Sequence, residues 1–578
     1  MKQKHTLAFP YRQRSILHID VDTETFEVLA LEEAESKAYL GGRLLALFLW
    51  NRFARYDQLD EKHYESGNPV VFAPGAASDT PMPCCTVCSI VTKSPVTGRL
   101  SVTCASTPFA QGLLGCGYSA LVITGRSRRL TSFSVAEGAV VFSNAEAFHD
   151  LSTTEVMHRM QAPHLVVAGP AGEHLVSHAS IVVDNQNLTR GGVGKVFGLK
   201  NLKYFTLFPQ ATGRDSYDSE RMGLLSQAYQ KDMHTAKLGR TIAQEGSIAL
   251  LSLANKHGWA AIDNYSMRMD GRLWGLCPRT APDAEPPEDS VCPPCMQRST
   301  LDLESAMALG SNLELFDGRS VQQLVVRCLE NGLEPASAGS ILSWARHCRM
   351  DGKLSFLPDM QRSSAMLYLR LLDSMAYQRG TGEQLSKPFV QLLATYGGEE
   401  HAFHVDGLAL APYDYRALPV QALLTSLGDD TLVYAELLWG NHYQRGNERR
   451  LAGWALYVQK VSYAAQSLGL CTWLLLPSFA HPVLHFPWFK RRKRTFARLA
   501  LLASLSEGYE LTAQDMQAYG AKALDLERTI NGKLTGVQGR YGSLPDQLLV
   551  DGRSNYRSSQ VVPLARLLDA YWSLLRVK

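Results

Sequence analysis

Residues 190–203 read Arg190-Gly191-Gly192-Val193-Gly194-Lys195-Val196-Phe197-Gly198-Leu199-Lys200-Asn201-Leu202-Lys203, and the interpretation of the whole chain starts from them. The glycines let a ligand approach the backbone closely, and the backbone amides can face an anion. Positive charge comes from Arg190, Lys195, Lys200 and Lys203. The stretch is therefore either a phosphate cradle or a basic turn between two domains. It is not a nucleotide P-loop, because it lacks the Gly-x4-Gly-Lys-Ser/Thr spacing.

Length and composition describe a globular protein with more than one domain. The chain has 578 residues, 46% of them hydrophobic, and this length supports roughly two to four domains. Lys and Arg total 58 against 55 Asp and Glu, so no charge excess points to nucleic acid or to a membrane surface. No charge-free apolar run reaches the about 18 residues of a spanning helix, and the first residues do not form a signal peptide. We therefore expect a cytoplasmic protein with no membrane span and no nucleic-acid partner.

Cysteine spacing points to free thiols and a metal site rather than to a disulfide framework, because the 11 cysteines are odd in number and uneven in spacing. The strongest signal is Cys292-Pro293-Pro294-Cys295, since two thiolates at this spacing can bind one metal centre from a single loop. The pair is compatible with zinc, with an iron-sulfur cluster or with two ordinary thiols. A second patch forms either another metal site or a set of small buried side chains. It comprises Cys84, Cys85, Cys88 and Cys104.

Residues 1–208 have the pattern of a β-rich domain. Leu17, Ile19 and Val21 alternate with polar residues, which predicts a half-buried strand followed by a turn at 23–25. A helix is predicted over 39–47. Further apolar strands are predicted at 70–72, 89–92, 120–123 and 165–167.

After about residue 209 the pattern becomes helical, and we expect a middle domain over 209–400 and a last domain over 401–578. Apolar residues recur at spacings of three and four from Val321 to Leu329, and Gly332 is placed to end that helix. Helices are also predicted over 304–315, 341–348 and 363–377. Pro563 precedes an amphipathic closing helix.

The order of several motifs resembles that of the aldehyde:ferredoxin oxidoreductase family, the tungsten or molybdenum pterin enzymes. The resemblance covers nearly the whole chain, and it implies an α+β fold with a β-rich amino-terminal domain followed by two mainly α-helical domains around a cofactor. Besides 190–203, the matching motifs are Tyr39-Leu40-Gly41-Gly42-Arg43, Thr92-Lys93-Ser94-Pro95-Val96-Thr97-Gly98, Gly169-Pro170-Ala171-Gly172-Glu173 and Leu526-Glu527-Arg528-Thr529-Ile530-Asn531.

The resemblance implies a [4Fe-4S] cluster held by four cysteines. Cys292 and Cys295 match the first two ligands, and Cys471 in Gly469-Leu470-Cys471 matches the distant one. Ser299 stands at the third position, and serine oxygen is a harder ligand for iron than thiolate. Either Ser299 or Cys277 would complete the cluster, or the cluster is altered or absent.

The resemblance also implies two pterins held at paired Asp-x-x-Gly-Leu turns. The Gly-Leu turns persist here, but Leu329 and Gln466 stand at the two aspartate positions, and only Gln466 can accept a hydrogen bond. The implied cofactor-binding residues are Arg190, Gly191, Gly192, Gly194, Gly332, Leu333, Gly469 and Leu470.

His347 is the catalytic residue that the resemblance implies, because it stands where the family has a glutamate near the metal. Histidine can move protons near neutral pH. The alternative is a histidine on a partly exposed helix beside Arg346 and Arg349. The family's Cys-His pair falls near Asp429-Asp430-Thr431, where no histidine occurs.

Two functions follow. The first is an oxidoreductase that acts on an aldehyde or oxo group, with a ferredoxin-like carrier or iron-sulfur subunit as electron acceptor. The second is a non-catalytic family member that serves as a scaffold, partner or regulatory subunit. The basic run 490–494 is either a docking site for an acidic carrier or a solvated helix start. A homodimer is compatible with both functions.

Overall fold

The structure is a computed structural model that describes residues 13–59, 64–187, 189–210, 218–235, 245–277, 301–429, 447–475, 488–537, 542–549 and 562–576. Its strands are β1 Ser15–Asp20, β2 Thr25–Ala30, β3 Val70–Pro74, β4 Val87–Lys93, β5 Leu100–Ser106, β6 Ala120–Thr124, β7 Thr131–Ala136, β8 Ala139–Asn144, β9 His164–Ala168, β10 Ile181–Val183, β11 Gln186–Asn187, β12 Leu202–Phe208, β13 His404–Val405 and β14 Leu408–Ala409.

Helices of the amino-terminal part are short and lie between strands. They are α1 Glu33–Ala38, α2 Gly42–Phe53, α3 Tyr64–Gly67, α4 Phe109–Gly115, α5 Thr153–Met160, α6 Pro170–Glu173 and α7 Val193–Leu199. Helices dominate after β12. They are α8 Ser219–Thr235, α9 Leu251–His257, α10 Leu303–Leu309, α11 Gly318–Asn331, α12 Pro335–Met350, α13 Ala365–Ala376, α14 Thr381–Leu385, α15 Phe389–Tyr396, α16 Pro419–Ser426, α17 Glu448–Leu468, α18 Trp488–Glu507, α19 Ala513–Thr535 and α20 Leu564–Arg576.

The amino-terminal strands form two six-stranded mixed sheets, with the orders β2-β1-β6-β3-β4-β5 and β11-β10-β9-β12-β7-β8. An aromatic core joins the two sheets: the ring of Phe205 on β12 lies 5.4 Å from Phe72 on β3 and 4.9 Å from Phe133 on β7. Strand β3 is buried along its whole length, because side chains on both of its faces are covered. The α+β fold class predicted from the sequence is confirmed.

Two predicted helices have different bounds in the structure. Helix α2 begins at Gly42 rather than at residue 39, because Tyr39 ends the preceding helix and its amide bonds to the carbonyl of Glu35. Helix α10 ends at Leu309 rather than at 315, because Gly310 leaves the helical conformation with φ −106° and ψ −94°. Strand β2 begins at Thr25, the last residue of the predicted turn at 23–25. Nearly all of its residues are exposed.

Helices α11 and α17 end in the same way. Gly332 after α11 has φ 68° and Gly469 after α17 has φ 85°, the left-handed conformation that favours glycine. The next amide closes each turn: Leu333 N donates to Cys328 O at 2.8 Å, and Leu470 N donates to Ala465 O at 3.0 Å. The backbone of each turn, at Gly332 and at Gly469, is therefore open to close contact with another segment of the chain.

The neighbour of each turn is a glycine that follows a strand of a different sheet. Gly75 follows β3, and a Cβ added to it would lie 1.8 Å from the nitrogen of Gly469. Gly169 follows β9, and a Cβ added to it would lie 2.6 Å from the carbonyl carbon of Asn331. The two sheets thus receive two helix ends through equivalent glycine contacts.

Backbone hydrogen bonds fix both contacts. At the first sheet, Val87 N donates to Gly469 O at 2.9 Å. At the second sheet, Ser180 N donates to Gly332 O at 2.8 Å, and Glu334 N donates to His178 O at 3.0 Å. No described helix is long and apolar enough to cross a membrane. The domain boundary at residue 400 stays a prediction.

Candidate functional site

A cavity of about 810 Å³ lies where the β-rich part meets residues of both helical parts. Strand β5 and the β10–β11 hairpin supply one wall. Its other walls come from α11, the start of α12, and the ends of α16 and α17. The polar and charged side chains of the lining include Arg43, Ser101, Cys104, Asp184, Asn187, Arg190, Asp302, Glu304, Glu334, Asp429, Gln466, Cys471 and Glu527.

The start of the 190–203 stretch faces this cavity. Ser101 Oγ donates to the carbonyl of Arg190 at 2.8 Å, and Ser94 Oγ donates to the carbonyl of Gly191 at 2.7 Å. The Arg190 side chain donates from Nη2 to Ala409 O at 2.8 Å, and its Nε lies 3.5 Å from Oε1 of Glu334. Arg190 and Gly191 therefore line the cavity as part of a fixed turn.

Gly192 and Gly194, the other predicted glycines of this stretch, pack against backbone on the side of the turn away from the cavity. A Cβ on Gly192 would lie 2.7 Å from Ser177 O, and one on Gly194 would lie 2.5 Å from Ser180 O. Neither glycine belongs to the cavity lining. Their role is close packing of one backbone segment on another.

The interpretation of Lys200 and Lys203 as phosphate ligands is wrong. Both side chains are fully buried, and Lys200 Nζ donates to Gly125 O at 3.0 Å. Lys203 Nζ donates to Leu151 O at 2.9 Å and pairs with Glu173. Burial lowers the pKa of Lys203, although the charge of Glu173 opposes that shift. The two lysine side chains therefore bond to groups of the domain core from the end of α7 and from β12, and they do not face an anion.

The two Gly-Leu turns shape the cavity mainly through the residue three positions before each glycine. Leu333 and Leu470 are fully buried, whereas Leu329 and Gln466 line the cavity. Leu329 offers an apolar surface. Gln466 offers an amide whose Oε1 accepts a hydrogen bond from Arg43 Nη1 at 3.2 Å.

Asn187 supplies the acceptor that Leu329 lacks. Asn187 is on β11, lines the cavity, and donates from Nδ2 to the carbonyl of Leu333, which fixes the orientation of its amide. Its Oδ1 is buried and has no hydrogen-bond partner within the described part of the chain. Since a buried acceptor without a partner is costly, this oxygen is suited to a ligand N–H group. Sequence reasoning missed Asn187, because its role depends on a contact with a residue 146 positions away.

Of the predicted metal ligands, Cys471 lines the cavity, and its amide donates to Cys84 O at 2.9 Å. Cys292, Cys295 and Ser299 lie outside the described residues. Cys277 is half-buried, and burial raises the pKa of its thiol. The iron-sulfur assignment stays a prediction.

Three thiols of the Cys84 patch are buried, and the fourth, Cys104, is partly exposed at the cavity wall. Cys85 Sγ donates to Leu468 O at 3.3 Å, and Cys104 Sγ lies 3.2 Å from Ser89 Oγ. Burial, together with the neighbouring Cys104, raises the pKa of Cys88 far above its usual value. Among the described residues, the group with metal-ligand spacing is Asp351, Glu400 and His401, which does not include these thiols.

His347 does not belong to the cavity lining. Its Nε2 lies 3.0 Å from Oδ1 of Asp263, which also accepts a hydrogen bond from Arg346 at 2.7 Å. Burial acts to raise the pKa of Asp263, but the hydrogen bond and charge of His347 and the charge of Arg346 lower it to about 2. In this structure His347 takes part in an ion-paired cluster, and its catalytic role stays a prediction.

Arg43 and Glu527 form another ion pair in the cavity wall. Arg43 Nη2 lies 2.6 Å from Glu527 Oε2, and its guanidinium lies 3.6 Å from the ring centre of Tyr463. Arg43 belongs to the motif 39–43, and Glu527 belongs to the motif 526–531. Neither motif by itself indicates a role for these side chains.

The cavity fits an organic cofactor of the expected kind. Its volume lies within the about 300–1,000 Å³ of small-molecule sites. Amide acceptors face it from both sides, Asn187 beside the turn after α11 and Gln466 before the turn after α17, and Arg190 adds positive charge. These groups suit the ring N–H groups of a pterin and a bound anion.

In comparisons with known proteins, most of the chain matches two models of one protein family. Residues 16–207 match the family model described as aldehyde ferredoxin oxidoreductase, N-terminal domain, and residues 225–576 match the one described as domains 2 and 3. The tungsten-containing aldehyde ferredoxin oxidoreductase of Pyrococcus furiosus is 25% identical over 427 residues, which cover 69% of this chain and 70% of the relative.

Two further similarities extend this result. A protein of Pyrococcus furiosus named aliphatic sulfonate oxidoreductase, WOR-like subunit, is 21% identical and covers 70% of this chain and 71% of its own length. A solved structure titled active site complex BamBC of benzoyl coenzyme A reductase has a TM-score of 0.79 at 16% identity, covering 97% of this chain and 95% of that one. The last similarity concerns the fold alone.

Proposed function

The chain belongs to the aldehyde ferredoxin oxidoreductase family, and from this premise we propose that it oxidises an aldehyde or a related oxo compound and passes the electrons to an iron-sulfur carrier. The observation that carries the proposal is the cavity of about 810 Å³ whose lining comes from β5, the β10–β11 hairpin and helices α11, α12 and α17. Named relatives contain tungsten, which supports the same class of centre here.

Asn187, Gln466 and Arg190 are the residues that would hold a tungsten or molybdenum pterin in this cavity. The Asn187 and Gln466 amides would accept from ring N–H groups, and Arg190, which is already paired with Glu334, would donate a hydrogen bond to an anionic group. When bound, such a cofactor supplies the two-electron chemistry of oxo compounds. The protein contributes orientation, because the Ser94 and Ser101 hydroxyls already fix the turn that carries Arg190.

Electrons would leave through an iron-sulfur cluster at Cys471. We assign Cys292 and Cys295 as its other thiolate ligands, with Ser299 or Cys277 completing the set. The acceptor would be a ferredoxin-like protein or an iron-sulfur subunit. The similarity to a protein named as a WOR-like subunit favours a subunit partner.

Two observations favour a second function, a non-catalytic scaffold or regulatory subunit. Leu329 is at the cavity wall where an acceptor would be expected, and His347 lies outside that wall. A chain that has lost its redox centre would tolerate both changes.

An activity assay separates the two functions. The protein is produced in cells supplied with tungstate or molybdate, purified without oxygen, and tested for aldehyde-dependent reduction of a viologen dye. The oxidoreductase predicts dye reduction by the native chain, loss in Asn187→Leu, and full retention in Glu220→Gln, a substitution in the first turn of α8. A folded protein that reduces no dye with any aldehyde tested would support the scaffold function.

A further inference from the structure

A second, much smaller cavity lies behind the turn that carries Arg190, and we call it the small cavity. It leaves about 10 Å³ for the centre of a water molecule, which is the space that one buried water needs. Gly191 lines both cavities, so the two cavities meet at this turn. The rest of the small cavity's lining includes Ser177 and His178 before β10, Gly192, Ser337 on α12 and Ala409 on β14.

His178 brings an unpaired nitrogen to the small cavity. Its side chain is 5% exposed, and its Nε2 has no hydrogen-bond partner within the described part of the chain. Its Nδ1 lies 3.3 Å from Ser177 Oγ, and the Ser177 hydroxyl donates to Ser386 O at 2.9 Å. Because a hydroxyl has one proton to donate, Nδ1–H is the donor to Ser177 Oγ, and Nε2 is left as an acceptor.

The chemistry of the small cavity suits a water molecule. An unpaired buried acceptor is costly, and a second ring proton does not relieve that cost, because burial lowers the pKa of His178 to about 3. None of the described residues that line the small cavity has a charged side chain, so a neutral ligand fits better than an ion. A water can donate to Nε2 and bond to the Ser337 hydroxyl or to the backbone of the lining, and buried waters typically make about three such bonds.

Groups at the small cavity also hold the Arg190 side chain. Ala409 O accepts a hydrogen bond from Arg190 Nη2 at 2.8 Å. His178 O accepts one from Glu334 N at 3.0 Å, and Glu334 Oε1 lies 3.5 Å from Arg190 Nε. His178 and Ala409 thus connect the small cavity with two groups that fix the guanidinium.

We propose that one buried water occupies the small cavity, bonds to His178 Nε2, and makes His178 a positioning residue for the turn that carries Arg190. The water would fill the space between the His178 ring and the backbone of the turn, so a movement of the turn would break its hydrogen bonds. The water site does not depend on the proposed function. The use of the positioned guanidinium by a cofactor does rest on that function.

A crystal structure of the full-length protein tests the water site. One water is expected within about 2.7–3.2 Å of His178 Nε2. His178→Phe keeps an aromatic ring but has no nitrogen, so the water should be lost, whereas His178→Gln has a side-chain amide and should retain it. His257→Phe is the control, because it keeps a ring beside Trp259 and lies outside the small cavity. An empty small cavity in the native protein, or a protein group bonded to Nε2, would overturn the proposal.

Hydrogen exchange tests the positioning role without a bound cofactor. Glu334 N bonds to His178 O, and Gly194 N, within the 190–203 stretch, bonds to Ala179 O at 3.0 Å. In His178→Phe both amides should exchange about 2- to 12-fold faster, the effect of losing about one net hydrogen bond, and Val87 N on the first sheet should keep its native rate.

His178→Gln should restore exchange rates close to the native ones. Native rates in His178→Phe would overturn the positioning role. Equal acceleration in both variants would also overturn it, because packing of the ring would then explain the effect without a water. Neither measurement needs an active enzyme, so a chain that oxidises no aldehyde would refute the proposed function and leave this test intact.

Discussion

Gly75→Ala should separate α17 from the first sheet and leave the second sheet intact. The new Cβ would lie 1.8 Å from Gly469 N and 2.0 Å from Gly469 Cα, and both are backbone atoms that no side-chain rotation can move. The helix end must therefore withdraw by more than 1 Å to reach ordinary van der Waals distance, about 3.5 Å. Overpacking of this kind costs about 1–3 kcal/mol.

Hydrogen exchange measures this cost at individual amides. Val87 N and Cys471 N bond across the α17 contact, to Gly469 O and Cys84 O. A loss of about 1–3 kcal/mol corresponds to about 5- to 140-fold faster exchange, at about 1.4 kcal/mol per factor of ten. Ser180 N, which bonds to Gly332 O at the other contact, should keep its native rate.

Gly169→Ala provides the reciprocal experiment, because its Cβ would contact Asn331. Hydrogen exchange at Ser180 N should become faster, and exchange at Val87 N should keep its native rate. Gly223→Ala on α8 is the neutral control, since nothing lies within 4 Å of its Cβ. Native exchange rates in Gly75→Ala, or equal acceleration at both contacts, would refute two separate glycine contacts.

Two other predictions concern buried side chains beside these contacts. Burial lowers the pKa of His178 to about 3, so the stability that the neutral ring contributes above its unfolded pKa of about 6.5 is lost as the pH falls towards 3. Between pH 6.5 and 5 the loss is about 2 kcal/mol, and the thermal midpoint of the native protein should fall more than that of His178→Phe; equal falls would contradict the burial argument. Cys471→Ser should abolish visible iron-sulfur absorption, and an unchanged spectrum would refute the ligand assignment.

Sequence patterns predicted the elements whose residues are buried on a regular period. The predicted strand at 70–72 lies within β3, and the predicted stop at Gly332 ends α11, because a left-handed residue favours glycine. Strand β2 was not predicted, because it is an exposed edge strand whose residues do not alternate between buried and exposed. The β7–β8 hairpin was likewise not predicted.

The site was harder to predict than the fold. Arg190 and Cys471 line the cavity, and their cofactor and metal roles stay predictions, whereas the positive charge of Lys200 and Lys203 is bonded inside the core. Asn187 and Asp429 lacked a local signal, since each becomes part of the wall only when distant segments pack together. Spacing along the chain cannot show such contacts.

Metal and pterin content of the purified protein tests the central claim most directly, because the claim is that the three parts of the chain enclose an organic metal cofactor. The protein is isolated from cells supplied with tungstate and molybdate, and tungsten, molybdenum and iron are measured with pterin released by acid oxidation. The account predicts tungsten or molybdenum at about one atom per chain, together with pterin and about four iron atoms. Folded protein that contains neither metal nor pterin would contradict it.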